Sequence, residues 1–209
     1  MKKILLFFVF VVVGWQISLA QGLSQNLSLD KINAQANALA KSFCNCIVDV
    51  GSSDNGYSYS VKLKMVREVG RLFYNYPERR ITTTWRNGTQ HKQPVSRYLN
   101  NLLLQSTSQK GFEHRKYKIT WDKVCLNAGG GDWHYERITK DGCKIYSKIF
   151  RYAQTYIYYR LIDVHAENPQ NRNVEYYDVA KKNIKVYAIV KPNDNRITVK
   201  LGDITRSEH

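Results

Sequence analysis

Residues 144–164 read KIYSKIFRYAQTYIYYRLIDV, twenty-one residues without a glycine, proline or asparagine. Val, Ile, Tyr, Phe and Thr favour strands, and side chains alternate between faces along a strand. An ordinary strand is about 5–6 residues long, so a run of this length implies a very long strand with a bulge or bend inside it. Its even positions carry Lys144, Tyr146, Lys148, Phe150, Tyr152, Gln154, Tyr156, Tyr158 and Arg160. Its odd positions carry Ile145, Ser147, Ile149, Arg151, Ala153, Thr155, Ile157 and Tyr159. The odd face, with its small aliphatics, is expected to pack under helices. The even face is a ladder of rings and cations.

The same period of two continues on both sides. Upstream, Tyr117, Ile119, Trp121 and Cys125 share a parity, and residues 133–138 join the long run through a turn at Asp141-Gly142. Downstream, residues 174–191 and 196–204 read as strands joined by Pro192-Asn-Asp-Asn195. Before residue 110 the period is helical. Leu29, Ile32, Ala36, Leu39, Phe43, Cys46 and Val50 are spaced alternately three and four apart. A second stripe, Val61 to Tyr76, ends at Pro77, and Pro94 opens a third with Val95, Tyr98, Leu99, Leu102 and Leu103. Between them, residues 80–85 form a β-branched strand leading into an Asn87-Gly88 hairpin turn. The expected class is α+β, with two to three N-terminal helices packed on a strongly curved antiparallel sheet.

A helix pair, a strand ending at Asn87-Gly88, the helix Pro94-Val-Ser-Arg-Tyr-Leu99 and long bent strands resemble the NTF2-like (SnoaL-like) cone-fold superfamily. Residues 183–190 (NIKVYAIV) and 199–204 (VKLGDI) are similar to the end of secreted members from Bacteroidetes-type bacteria. The resemblance covers about residues 28–205 and rests on element order, not on a catalytic signature. It implies a curved sheet wrapped round a long helix, with a cavity at the wide end. That family contains enzymes, transport factors and binding domains, so it does not by itself give a function.

Rings with hydroxyl tips, interleaved with cations, suit phosphates, sulfates, anionic sugars or single strands. Tyr146, Tyr152, Tyr156, Tyr158 and Arg160 are therefore the candidate ligand-binding residues. The same rings could instead fill a cone interior or a homodimer interface. Asp163 and His165, at i and i+2 on a strand, are the candidate acid–base pair for the proton transfer that cavity enzymes of the family carry out. No GxSxG, HExxH, P-loop or GxGxxG motif occurs, and no cofactor is expected.

Lys2 and Lys3, the apolar stretch 4–13 and Ser18-Leu19-Ala20 read as a secretory signal peptide cut near Ala20/Gln21, leaving 21–209 as one domain. The whole chain carries 32 Lys+Arg against 17 Asp+Glu, a formal charge of +15. Loss of Lys2 and Lys3 leaves 30 against 17, or +13. The expected address is periplasmic or secreted, without a transmembrane span after cleavage. There the charge would steer an anionic or glycan envelope component; no nucleic-acid-binding motif is present. Three readings follow: a non-catalytic envelope-binding module, a structural subunit that dimerises through the sheet, or a small-molecule isomerase or hydrolase using Asp163 and His165.

In an oxidising compartment four cysteines allow three connectivities, of which Cys125–Cys143 is the favoured pair. Cys44 and Cys46 point about 200° apart on a helix. They read as one packed thiol and one surface or bridged thiol, with no further ligands spaced for a metal.

Overall fold

The computed structural model describes residues 29–53, 55–84, 88–107, 115–126, 132–161, 172–192 and 197–207, with the backbone alone at 115, 126, 158–161 and 172–176. Residues 1–20, expected from the sequence to be a signal peptide, lie outside these residues. So do Asp163 and His165.

The helical stripes form α1 (Leu29–Gly51), α2 (Tyr59–Gly70) and α3 (Val95–Thr107), with a 3-10 turn at Tyr76–Glu78. Ser58 caps α2, its hydroxyl accepting from the Val61 N–H. The second stripe therefore breaks earlier than its periodicity predicts. Residues 71–75 leave the helix so that Phe73 can bridge to Leu201 of the sheet. α1 packs against α2, α3 and the sheet together. It consequently buries a wider arc than one stripe, including Ile32, Ala36, Ala40, Phe43, Ile47 and Val50. Cys44 and Cys46 both fall inside that arc. Burial pushes both thiols up to about 12, so each is a packed, unreactive group.

The strands are β1 (Arg80–Thr84), β2 (Gln90–Pro94), β3 (Arg115–Trp121), β4 (Cys125–Leu126), β5 (His134–Ile138), β6 (Lys144–Leu161), β7 (Arg172–Val190) and β8 (Ile197–Arg206). They form one sheet in the order β2-β1-β8-β7-β6-β3, with β4 and β5 also paired to β6. The class is α+β, as expected, but the sheet is mixed: β1 meets β8 in parallel at Ile81–Ile204. The long run is the spine of the sheet. One edge of β6 pairs with β7 along its whole length, and the other takes β5, β4 and β3 in turn. Its register with β7 is unbroken from Lys144 to Tyr158, and the irregularity falls between Tyr158 and Tyr159. Alternation against β7 therefore holds from Lys144 to Tyr158.

That register separates the two cysteines of the favoured bridge. Cys125 lies opposite Arg151, eight residues along β6 from Cys143, or more than about 20 Å at strand rise. A disulfide needs Cα atoms within about 7 Å. All four cysteines are free thiols, and the Cys125–Cys143 bridge is absent.

Two joints tie α1 to its surroundings. After α1 the chain runs beside β3: the Ser53 N–H donates to Tyr117 O at 2.8 Å, and the Ile119 N–H donates to Ser52 Oγ at 3.0 Å. Lys62 of α2, 1% exposed, donates to Ser52 O at 2.5 Å and to Ser106 Oγ of α3 at 3.2 Å. Ser106 in turn donates to Val50 O. The carbonyls that a helix C-terminus leaves unpaired are thus met by side chains of both other helices. Among the described residues no helix is long and apolar enough to cross a membrane.

Candidate functional site

The even face of β6 turns towards the helices, the reverse of the sequence expectation. Tyr146 (4% exposed) and Tyr152 (2%) join Phe150 in the core. Tyr146 packs edge-on to Tyr135 with ring centroids 5.8 Å apart. Tyr152 lies deepest; its hydroxyl is buried without a partner, and burial holds its pKa well above the ordinary value. These two tyrosines are therefore interior residues and not an open binding ladder. The side chains of Tyr158 and Arg160 lie outside the described ones; their backbones pair with Tyr117 and Arg115 of β3.

Further along the same face the core opens into a cleft of about 680 Å³ between α3 and the sheet. Tyr156, partly buried, stands on one wall. Its ring and that of Tyr117 on β3 are 5.7 Å apart at 46°, a tilted pair. The floor follows from the β6–β7 register. Tyr156 opposes Asp178, Gln154 opposes Ala180, and Tyr152 opposes Lys182, so Asp178, Ala180 and Lys182 share this face of β7. α3 supplies Arg97, Tyr98, Asn101 and Gln105, and the β1–β2 hairpin supplies Thr83, His91 and Gln93.

Two buried polar side chains stand on this floor. Lys182 is 4% exposed and donates to Thr82 O, its one hydrogen-bond acceptor among the described residues. Its pKa is lowered to about 8, by burial first and then by Arg206, its neighbour on β8, with Asp178 opposing the shift. Gln154 is 8% exposed, donates to the Tyr98 hydroxyl at 3.2 Å, and leaves its Oε1 buried with no partner among the described residues. Burial pushes Tyr98 up to about 12, so it stays a neutral hydroxyl. Buried polar atoms are nearly always paired, and Gln154 Oε1 is an exception that borders the cleft.

Sequence reasoning named Tyr156 and missed Lys182, Gln154 and Arg97. The signal for Lys182 was present. Its parity on β7 continues as Ile184, Val186 and Ala188, all buried, so a lysine was being placed on a core-facing row. Other cations serve the opposite face. Arg79 sits between the Tyr74 and Tyr187 rings at 5.8 Å from each, and Lys185 pairs with Glu136 at 2.7 Å.

No protein-family model matches the chain, and no curated protein does. Among solved structures, a periplasmic fragment of TraM is similar at a TM-score of 0.40 and 9% identity, over 84% of this chain and 98% of that one. The site is therefore interpreted from its own chemistry. Among the described residues no three His, Cys, Asp or Glu side chains converge as a metal centre would require.

Proposed function

We propose that this is an exported, non-catalytic binding module of the NTF2-like cone type, whose α3–sheet cleft holds an anionic or glycan component of the bacterial cell envelope. The observation that carries the reading is the floor of the cleft, where a buried lysine and an unpartnered carboxamide oxygen stand beside a tyrosine pair. Concave sites with a few convergent polar groups and a perturbed pKa are where ligands bind. The cone form is supported by the two ends of the sheet path, β2 and β3, each contributing a residue to this one cleft under α3. The apolar, lysine-led N-terminal segment supports a periplasmic or secreted address. The test is retention of the purified protein on an acidic envelope polysaccharide. Binding is expected to weaken as salt rises. A Tyr156→Ala, Lys182→Met double variant should lose at least tenfold in affinity; salt-independent binding untouched by the double variant sinks the reading.

The dimeric reading keeps one observation in its favour. Tyr177 (61% exposed) and Val179 (44%) lie on the outer face of β7, opposite Ile157 and Thr155. β7 pairs with β8 only from Lys182 onward, so this apolar pair lies on a stretch of strand that β8 does not cover. Light scattering over a dilution series is expected to show self-association weakened by Tyr177→Lys with Val179→Lys. A monomer at millimolar concentration removes this reading.

A further inference from the structure

The geometry points to a singly charged acidic sugar, a hexuronate unit with its carboxylate at Lys182 and its ring against Tyr156 and Tyr117, as the group the cleft recognises. This deepens the binding reading above and rests on it.

Charge argues for a monoanion. Arg97 and Lys182 against Asp178 give the cleft lining a formal charge of +1. One carboxylate brings that to zero. A phosphate monoester or a multiply sulfated unit would leave uncompensated negative charge beside a buried wall, and burying unpaired charge is costly. The site of the anion is set by Lys182, which holds three ammonium protons and a single acceptor among the described residues.

Hydrogen-bond capacity argues for a polyhydroxyl ring. Four carboxamides, Gln93, Asn101, Gln105 and Gln154, line the cleft. Carboxamides both donate and accept, as sugar hydroxyls do. Gln154 and Lys182 lie on neighbouring strands one pair apart in register, on the same face. Diagonal neighbours of this kind are about 7–8 Å apart at the Cα, within reach of long side chains. A carboxylate on Lys182 therefore puts an adjacent hydroxyl near Gln154 Oε1, whose missing partner that hydroxyl supplies. Whichever end of the amide faces Tyr98, its other end is the one left over, and a hydroxyl satisfies either.

Shape supplies the remaining feature. Tyr156 is one pair further along β6 from Gln154 and faces Asp178 across the strands, and Tyr117 leans on it from β3. The tyrosine pair thus lies next to the polar floor along the sheet, with an apolar surface for the C–H face of the sugar. The cleft, at about 680 Å³, accommodates more than one ring, as a site on a polymer requires.

The experiment is an NMR titration at pH 7 with three probes: methyl glucuronide, methyl glucoside and glucose 6-phosphate. Methyl glucuronide is expected to shift resonances of β6, β7 and α3, with affinity at least tenfold above the other two. Lys182→Met is expected to remove that preference, and Gln154→Leu to weaken the glucuronide several-fold while leaving the fold intact by amide dispersion. Equal affinity for glucuronide and glucoside overturns the inference, as does a preference for the phosphate or a Lys182→Met variant that discriminates as before. If the acidic polysaccharide binds with salt dependence while glucuronide neither binds nor competes, the hexuronate assignment falls and the broader reading stands. If neither binds, both fall.

Discussion

Lys62→Ala is expected to lower the free energy of unfolding by about 3–5 kcal/mol. The side chain is enclosed and donates to Ser52 O and Ser106 Oγ. Stranding a buried acceptor costs about 1–3 kcal/mol, and truncating a long core side chain adds a cavity term of similar size. Lys62→Met keeps most of the volume and loses only the bonds, so it should cost less than half as much. Urea denaturation at neutral pH separates the two. If Lys62→Ala unfolds with the wild-type midpoint, the lysine is not the joint between α1, α2 and α3 described above.

The second large effect is a pH slope. Lys182 has a folded pKa of about 8 against an ordinary 10.5. Between those values the unfolded chain holds a proton that the folded chain has released, so the stability of this group rises with pH. The burial penalty is fully present below pH 8 and is gone by about 10.5. A shift of this size on an enclosed group corresponds to about 3 kcal/mol. Cys44, Cys46, Tyr98 and Tyr152, all raised by burial, work in the opposite direction above pH 9. The measurement is therefore the difference between wild type and Lys182→Met. That difference is expected to move by about 3 kcal/mol towards wild type from pH 8 to 10.5. Parallel curves would mean that Lys182 titrates like a surface lysine. The charged neighbours that set this behaviour are Arg206 on β8 and Asp178 on β7. Arg97 on α3 and His91 on β2 line the same cleft. Anion affinity follows the same proton, so it should fall as pH passes 8.

Periodicity made the helices legible because each buries against a neighbour. Val95, Tyr98, Leu99, Leu102 and Leu103 are the buried residues of α3 without exception. Alternation in β6 was equally legible, and its sidedness was misassigned. Parity says that two rows face opposite ways but not which row faces in. Size decides it. Tyr146, Phe150 and Tyr152 bury far more apolar area than Ser147, Arg151 and Ala153, and burial scales with area. The hydroxyls that made the tyrosines read as half-wet are met differently. Tyr98 pairs with Gln154, and Tyr152 stays unpaired. The cleft itself was not legible, because it joins residues of α3 to strands before and after it, so Lys182 and Arg97 come to one cleft only in the fold. The cysteine pairing failed for the same reason: spacing in the chain placed Cys125 near Cys143, and the ladder on β6 placed them far apart.

The position of β8 governs the order in which this chain can become structured. β8 is the last strand in sequence, yet it lies between β1 and β7, and the Arg80 N–H finds its acceptor on Asp203, 123 residues away. A nascent chain holds α1, α2, β1 and α3 long before residues 197–206 emerge. Until then Ile81 has only β2 beside it, and Phe73 lacks its bridge to Leu201. Pairings this distant close slowly. The β6–β7 hairpin is the piece that can assemble locally, and the N-terminal helices must wait for the final segment to dock. Folding of the sheet therefore cannot finish before residues 197–206 have been made.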